Sequence, residues 1–119
     1  MIIAISVQDD WSKLMVGSRF GRSQGFVVVD IDSRQQSLHY NARNRQGAQG
    51  DGIQAAQKVA RLGVDAVLTG HIGSKAFATL QTAEIDVYTG VQGTVDKAVE
   101  TFQTGRLQTA SEADVEGHC

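Results

Sequence analysis

Hydrophobic positions along this chain fall first into two short runs. IIAISV at residues 2–7 and FVVVDI at 26–31 are apolar and rich in β-branched side chains, as buried strands are. Between them QDDWSKLMVGSRFGRSQG has several glycines and no sustained period. It reads as a long loop, of the kind that carries function in compact domains. DSRQ, after Ile31, reads as a tight hairpin turn into a weaker third strand over residues 37–40. The polar, glycine-rich stretch NARNRQGAQGDG that follows is expected to be flexible. From Gly52 the period becomes helical: Ile53, Ala56, Val59, Ala60 and Leu62 share a stripe that Gly63 closes as a C-terminal cap. Residues 64–69 (VDAVLT) predict a fourth strand, 74–82 a second helix and 85–89 (IDVYT) a fifth strand. A third helix is predicted over 94–104, with Val95, Ala98, Val99 and Phe102 on one face and Gly105 at its end.

The order βββαβαβα constrains the topology. With the first strand pointing up, hairpin-like returns send the second down and the third up. The αβ alternation then makes the fourth and fifth parallel to the first. One rim collects the loop after the first strand, the RFGR approach to the second strand, the polar loop, GHIGS and GVQGT. In open α/β sheets that rim is where ligands bind. Three helices begin there, near Asp51/Gly52, Ser74 and Thr94, and their starts present backbone N–H groups and positive dipole ends that favour anions. Gly-Ser and Gly-Thr are also ordinary capping pairs, so it is their convergence that points to a site.

Length and composition fit a single domain. A chain of 119 residues can bury one core without disulfide or metal staples. With 11 basic residues against 13 acidic ones, the chain lacks the basic excess of a nucleic-acid binder. MIIAISVQDDW lacks the features of a signal peptide and no apolar run reaches spanning length, so no membrane is expected and the cytoplasm is the expected location. The single cysteine, Cys119, removes cysteine-rich zinc and iron-sulfur frameworks from consideration. Proline is absent, which leaves the turns to glycine. Residues 108–119 are expected to form a mobile acidic tail behind a domain of residues 1–107.

The candidate chemistry is that of a binding site. Arg19 and Arg22 flank Phe20 and Gly21, and Arg43 and Arg45 lie in the polar loop beside them, so the rim is locally cationic. His71 is the histidine expected in the rim, where it can donate to an anion, ligate a metal or simply close a helix start. His39, within a strand, reads as structural; His118 with Cys119 is a soft-metal pair in a polar tail; and Trp11 reads as a loop anchor. No glycine run has nucleotide-fingerprint spacing. No nucleophile has a recognisable base beside it, and the adjacent Asp9 and Asp10 point apart on an extended chain. The residues therefore suggest a protein that is not an enzyme.

Three blocks carry a resemblance: GSRFGRSQGFVVVD at 17–30, GDGIQAAQKVARLGVDAVLTGHIGSKAF at 50–77 and GVQGTVDKAVETFQTGRL at 90–107. Together the chain resembles the dinitrogenase iron-molybdenum cofactor biosynthesis family, which includes NifX- and NafY-like carriers. It is most similar to the small stand-alone members from anaerobes that hold a molybdenum-copper sulfide cluster. The resemblance implies a ribonuclease-H-like α/β domain: a mixed five-stranded sheet, its second strand antiparallel, with three helices packed on both faces. It implies non-catalytic binding, storage or delivery of an anionic metal-sulfur cluster, either molybdenum-copper sulfide or an iron-molybdenum cofactor precursor. Such cargo brings its own sulfur and asks for diffuse positive potential and N–H donors, which agrees with a single cysteine. The rim positions it carries over are Arg19, Arg22, Gly70, His71, Gly73, Ser74, Gly93 and Thr94, with His71 as a possible direct metal ligand. Asp51 departs from the small residue often found there, and its carboxylate would repel an anion. A protein partner that receives the cluster is implied; a regulatory or interaction module of the same fold without a cluster is the alternative.

Overall fold

A computed structural model describes residues 1–7, 14–23, 25–40, 51–107 and 109, with positions 22, 40 and 51 described by their backbone alone. The strands are β1 (Ile2–Val7), β2 (Gly25–Asp30), β3 (Gln36–Tyr40), β4 (Ala66–Leu68) and β5 (Asp86–Tyr88), and the helices are α1 (Asp51–Arg61), α2 (Ser74–Thr82) and α3 (Val95–Gln103). They form one five-stranded sheet in the order β3-β2-β1-β4-β5. β2 runs antiparallel to both β1 and β3, while β4 lies parallel to β1 and β5 parallel to β4. This is the mixed open sheet with three helices read from the sequence. No helix among the described residues is long and apolar enough to cross a membrane.

The central strand shows why the fold has three layers. Ile3, Ala4, Ile5 and Val7 are all buried, so β1 needs cover on both faces. Alternation sends Ala4 to a core built with Phe26, Val67 and Val87 of the sheet, Ala55, Ala56 and Val59 of α1, and Ala76 and Leu80 of α2. The small residues on α1 and α2 let those helices sit close together. Ile3, Ile5 and Val7 face a second core, closed by Val95, Ala98 and Val99 of α3. Two helices therefore cover one face and one helix covers the other. Aromatic pairs fix the margins: Phe20 lies 5.3 Å from Phe26, and Phe102 stands edge-on to Tyr88 at 5.3 Å.

The boundaries differ modestly from the sequence reading. β4 and β5 have three residues each, and just outside them Asp65 N–H still donates to Ile2 O at 2.7 Å and Thr69 N–H to Tyr88 O at 3.0 Å. β3 begins one residue early, at Gln36, where the hairpin turn closes with Arg34 N–H donating to Asp30 O at 2.7 Å and Asp30 N–H to Gln35 O at 2.9 Å. The expected long irregular loop before β2 is, over residues 14–23, an ordered segment containing a 3-10 helix (Phe20–Arg22). The polar loop with Arg43 and Arg45, the residues Asp9, Asp10 and Trp11, and the tail with His118 and Cys119 lie outside the described residues.

Candidate functional site

The rim above the carboxyl ends of β1 and β4 is tied together by residues 14–20. Val16 bridges Val7, Met15 bridges Thr94, and Arg19 bridges His71 in parallel. The hydrogen bonds run the length of the segment. Val16 N–H donates to Gly93 O (2.8 Å), Gly17 N–H to Ser6 O (2.8 Å) and Phe20 N–H to His71 O (2.9 Å), while Ser18 O accepts from His71 N–H (2.8 Å) and Gly17 O from Gly70 N–H (3.1 Å). Both backbone groups of His71 are thus held, which fixes the origin of its side chain at the rim. Gly70 N–H and O engage opposite neighbours, since its carbonyl accepts from Gly90 N–H at 2.8 Å.

The approach of this segment dictates a glycine. A Cβ on Gly70 would lie 2.7 Å from Ser18 O and 2.9 Å from Ser18 Cα, inside contact with backbone atoms. Gly93, beside Val16, has φ +91°, a left-handed conformation that L side chains adopt only with strain. Just before the rim, the buried hydroxyls of Ser6 and Thr69 satisfy each other at 2.8 Å.

Between these loops opens a cleft of about 350 Å³, lined by Met15, Val16, Ser18, Gly70, His71 and the 90–93 loop. That is within the roughly 300–1,000 Å³ of small-ligand pockets. Among the described residues that line it there is no carboxylate; His71 is the titratable one, and Ser18 and Gln92 add polar groups. Arg19, exposed, lies next to His71 through the parallel bridge. Thr94 caps α3, its Oγ1 accepting from Lys97 N–H at 3.1 Å, whereas α2 starts at Gly73 with no side-chain cap. The described lining can hold a compact anion, since none of its side chains is acidic.

A family model described as dinitrogenase iron-molybdenum cofactor matches residues 1–105. The chain belongs to that family. Among solved structures it is similar to the apo form of the orange protein from Desulfovibrio gigas, at 36% identity and TM-score 0.85 over 96% of each chain. A Thermotoga protein described as NifB-like, of the DUF35 family, matches at 30% identity and TM-score 0.76 over 98% of each chain. An uncharacterized protein of Methanocaldococcus jannaschii, MJ0580, is 31% identical over 93 residues, 75% of this chain and 77% of its own.

In this family member, the positions carried over from the resemblance divide into three groups. Gly70, His71 and Gly93 line the cleft. Arg19 (bridged to His71), Gly73 and Ser74 (which follow Ile72) and Thr94 (next to Gly93) lie nearby and are not among the lining residues. Arg22 closes the 3-10 helix, and its side chain, like that of Asp51, lies outside the described residues. Sequence reasoning did not single out Met15, Val16, Ser18, Gly90, Val91 or Gln92. The last three belong to the GVQGT loop already assigned to the rim, so topology was their signal. Met15 to Ser18 belong to the loop after the first strand, likewise assigned to the rim, but their individual places depend on bridges to residues far away in sequence.

Proposed function

We propose that this protein binds, stores or delivers an anionic molybdenum-containing metal-sulfur cluster, of the molybdenum-copper sulfide type, in the cleft between Ser18, His71 and the 90–93 loop. The observation that carries the reading is a cleft whose described lining is glycine backbone with one histidine and no carboxylate, in a member of the iron-molybdenum cofactor family. An anionic, sulfur-rich cargo is recognised by N–H donors and fixed positive potential, for which the protein need supply no thiolate. His71 gives a directional contact from a held backbone, either as a hydrogen-bond donor or as a direct metal ligand. Arg19 and Arg22 supply long-range charge, and the α2 and α3 starts at Gly73/Ser74 and Gly93/Thr94 add dipole ends. Similarity to the orange protein, which exceeds the Thermotoga protein in both identity and TM-score and MJ0580 in identity, supports the small stand-alone carrier over an iron-molybdenum cofactor precursor protein.

The same reading makes the protein a carrier and not a catalyst, and the buried Ser6 hydroxyl near the rim is engaged with Thr69 Oγ1. Delivery implies a recipient protein. The 3-2-1-4-5 strand order with one antiparallel strand supports naming the fold ribonuclease-H-like. The test is an amide chemical-shift titration of labelled protein with a cluster assembled from tetrathiomolybdate and copper(I). Perturbations should centre on Ser18, Gly70, His71, Gly90, Gln92 and Gly93. Perturbations confined to the opposite end of the sheet, or none at stoichiometric cluster, would overturn the assignment.

A further inference from the structure

The two edges of the sheet are built differently. β5 is three residues long and carries the exposed charge of Asp86, two devices that protect an edge from pairing with another chain. β3 has neither. Its five residues, QSLHY, contain no Asp, Glu, Lys, Arg or proline, and they pair with β2 without a bulge. Among the described residues nothing pairs with its outer edge. At its midpoint stands Leu38, 56% exposed, which with Met1 at the chain terminus makes up the exposed large hydrophobics of the described residues. An unprotected edge with an apolar residue at its centre is a pairing surface.

We propose that β3 pairs antiparallel with β3 of a second copy of this chain, about a two-fold axis at Leu38, which joins the two sheets into one of ten strands. The pattern of the strand selects a second copy. A two-fold at the midpoint sets Leu38 against Leu38, Ser37 against His39 and Gln36 against Tyr40, so no like charges oppose each other and the exposed apolar residue meets its own equal. The faces also agree. The register with β2 places Gln36, Leu38 and Tyr40 on the α3 face and Ser37 and His39 on the α1/α2 face. Each face has a concavity beside β3. One, of about 510 Å³, is lined by Val29, Arg34, Gln36, Asp96, Val99, Glu100 and Gln103; the other, of about 190 Å³, includes Val28, Gln36 and Ser37. Antiparallel pairing lays the second copy's strand beside both grooves and brings its His39 to the second, at Ser37. His39 already accepts or donates a hydrogen bond to Ser37 Oγ at 3.0 Å within its own strand, so the exchange between copies is chemically matched. The strand is short, and the dimer is accordingly weak and concentration-dependent.

Sedimentation of the full chain from about 5 µM to about 1 mM, a range that spans weak self-association, should show mass rising from that of one 12.8 kDa chain toward twice that. Leu38→Lys should weaken dimerisation at least tenfold while leaving the far-UV circular dichroism unchanged, since Leu38 is already exposed. In a Cys119→Ser background, Leu38→Cys should cross-link under mild oxidation far faster than Gln57→Cys on the exposed side of α1, because opposed antiparallel residues have Cα atoms about 4.5–5.5 Å apart, within disulfide reach. A single-chain mass throughout would overturn the proposal. So would a dimer indifferent to Leu38→Lys, or cross-linking at position 38 no faster than at 57.

Discussion

Adding one methyl at Gly70 tests whether the rim is held together as described. In Gly70→Ala the new Cβ meets Ser18 O at 2.7 Å and Ser18 Cα at 2.9 Å, and both are backbone atoms. Relief requires residues 17–19 to move away, which stretches the bonds from Gly70 N–H to Gly17 O (3.1 Å) and from His71 N–H to Ser18 O (2.8 Å). Overpacking of this kind costs about 1–3 kcal/mol, and each weakened backbone hydrogen bond adds about 1 kcal/mol at most. The expected loss is therefore about 2–4 kcal/mol, or a fall in Tm of roughly 6–15 °C for a domain of this size. Gly93→Ala is the comparison: its Cβ would meet nothing within 4 Å, so only the left-handed backbone is strained, at about 1–2 kcal/mol. Urea unfolding of both variants gives the two values directly. A Gly70→Ala protein within about 0.5 kcal/mol of the parent, the usual spread for an inconsequential surface change, would refute the close approach of Ser18. So would one no less stable than Gly93→Ala.

Three further outcomes follow from the structure. Ser6→Ala and Thr69→Val should each cost about 1–2 kcal/mol and the double variant less than their sum, because removing both hydroxyls leaves no polar group stranded; strict additivity in a double-mutant cycle would show that the 2.8 Å bond between them carries no coupling. Thr94→Ala removes the α3 cap to Lys97 N–H and should cost about 1 kcal/mol in urea unfolding, whereas an unchanged midpoint would mean that the cap is idle. The Met1 ammonium, hydrogen-bonded to Asp32 at 3.1 Å, has its pKa raised above the ordinary 8.0, chiefly by that bond and against a smaller effect of desolvation. Because the folded value is the higher one, its contribution is complete below pH 8.0 and fades as pH rises through the folded pKa. An NMR titration of the amine should show this, and Asp32→Asn should lower the amine's pKa by removing the largest cause, leaving the weaker pull of Asp30 and Asp65; an amine titrating at or below 8.0 in the parent would contradict it.

Strand identity and direction were legible because β1 and β2 are continuous apolar runs and the helices carry clean stripes that end at glycine. Strand direction came from the element order alone, and with it the rim. What the sequence concealed was the ordered path of Met15 to Phe20. That segment has no period because it belongs to no ladder of its own: each residue takes its place from a different neighbour, Val7, Thr94, Gly70 or His71. For the same reason GHIGS was recognisable as a site while Ser18, which forms the facing wall, was not. The family resemblance pointed to Gly70 as part of the block at 50–77, but the physical cause, a backbone 2.7 Å from where its Cβ would be, is visible only in the fold. Leu38 shows the converse. Its strand was read correctly, yet its exposure depends on which strands end the sheet.

The central claim is that the glycine rim holds an anionic molybdenum-containing cluster. Protein purified without oxygen, before and after incubation with tetrathiomolybdate and copper, should be examined by absorption spectroscopy and elemental analysis alongside His71→Ala. The expected result is stoichiometric molybdenum and copper with visible charge-transfer bands in the parent, and weakened or absent bands in the His71→Ala protein at unchanged stability. A parent chain that remains colourless and free of metal after reconstitution, or a cluster retained equally by both proteins, would contradict the claim.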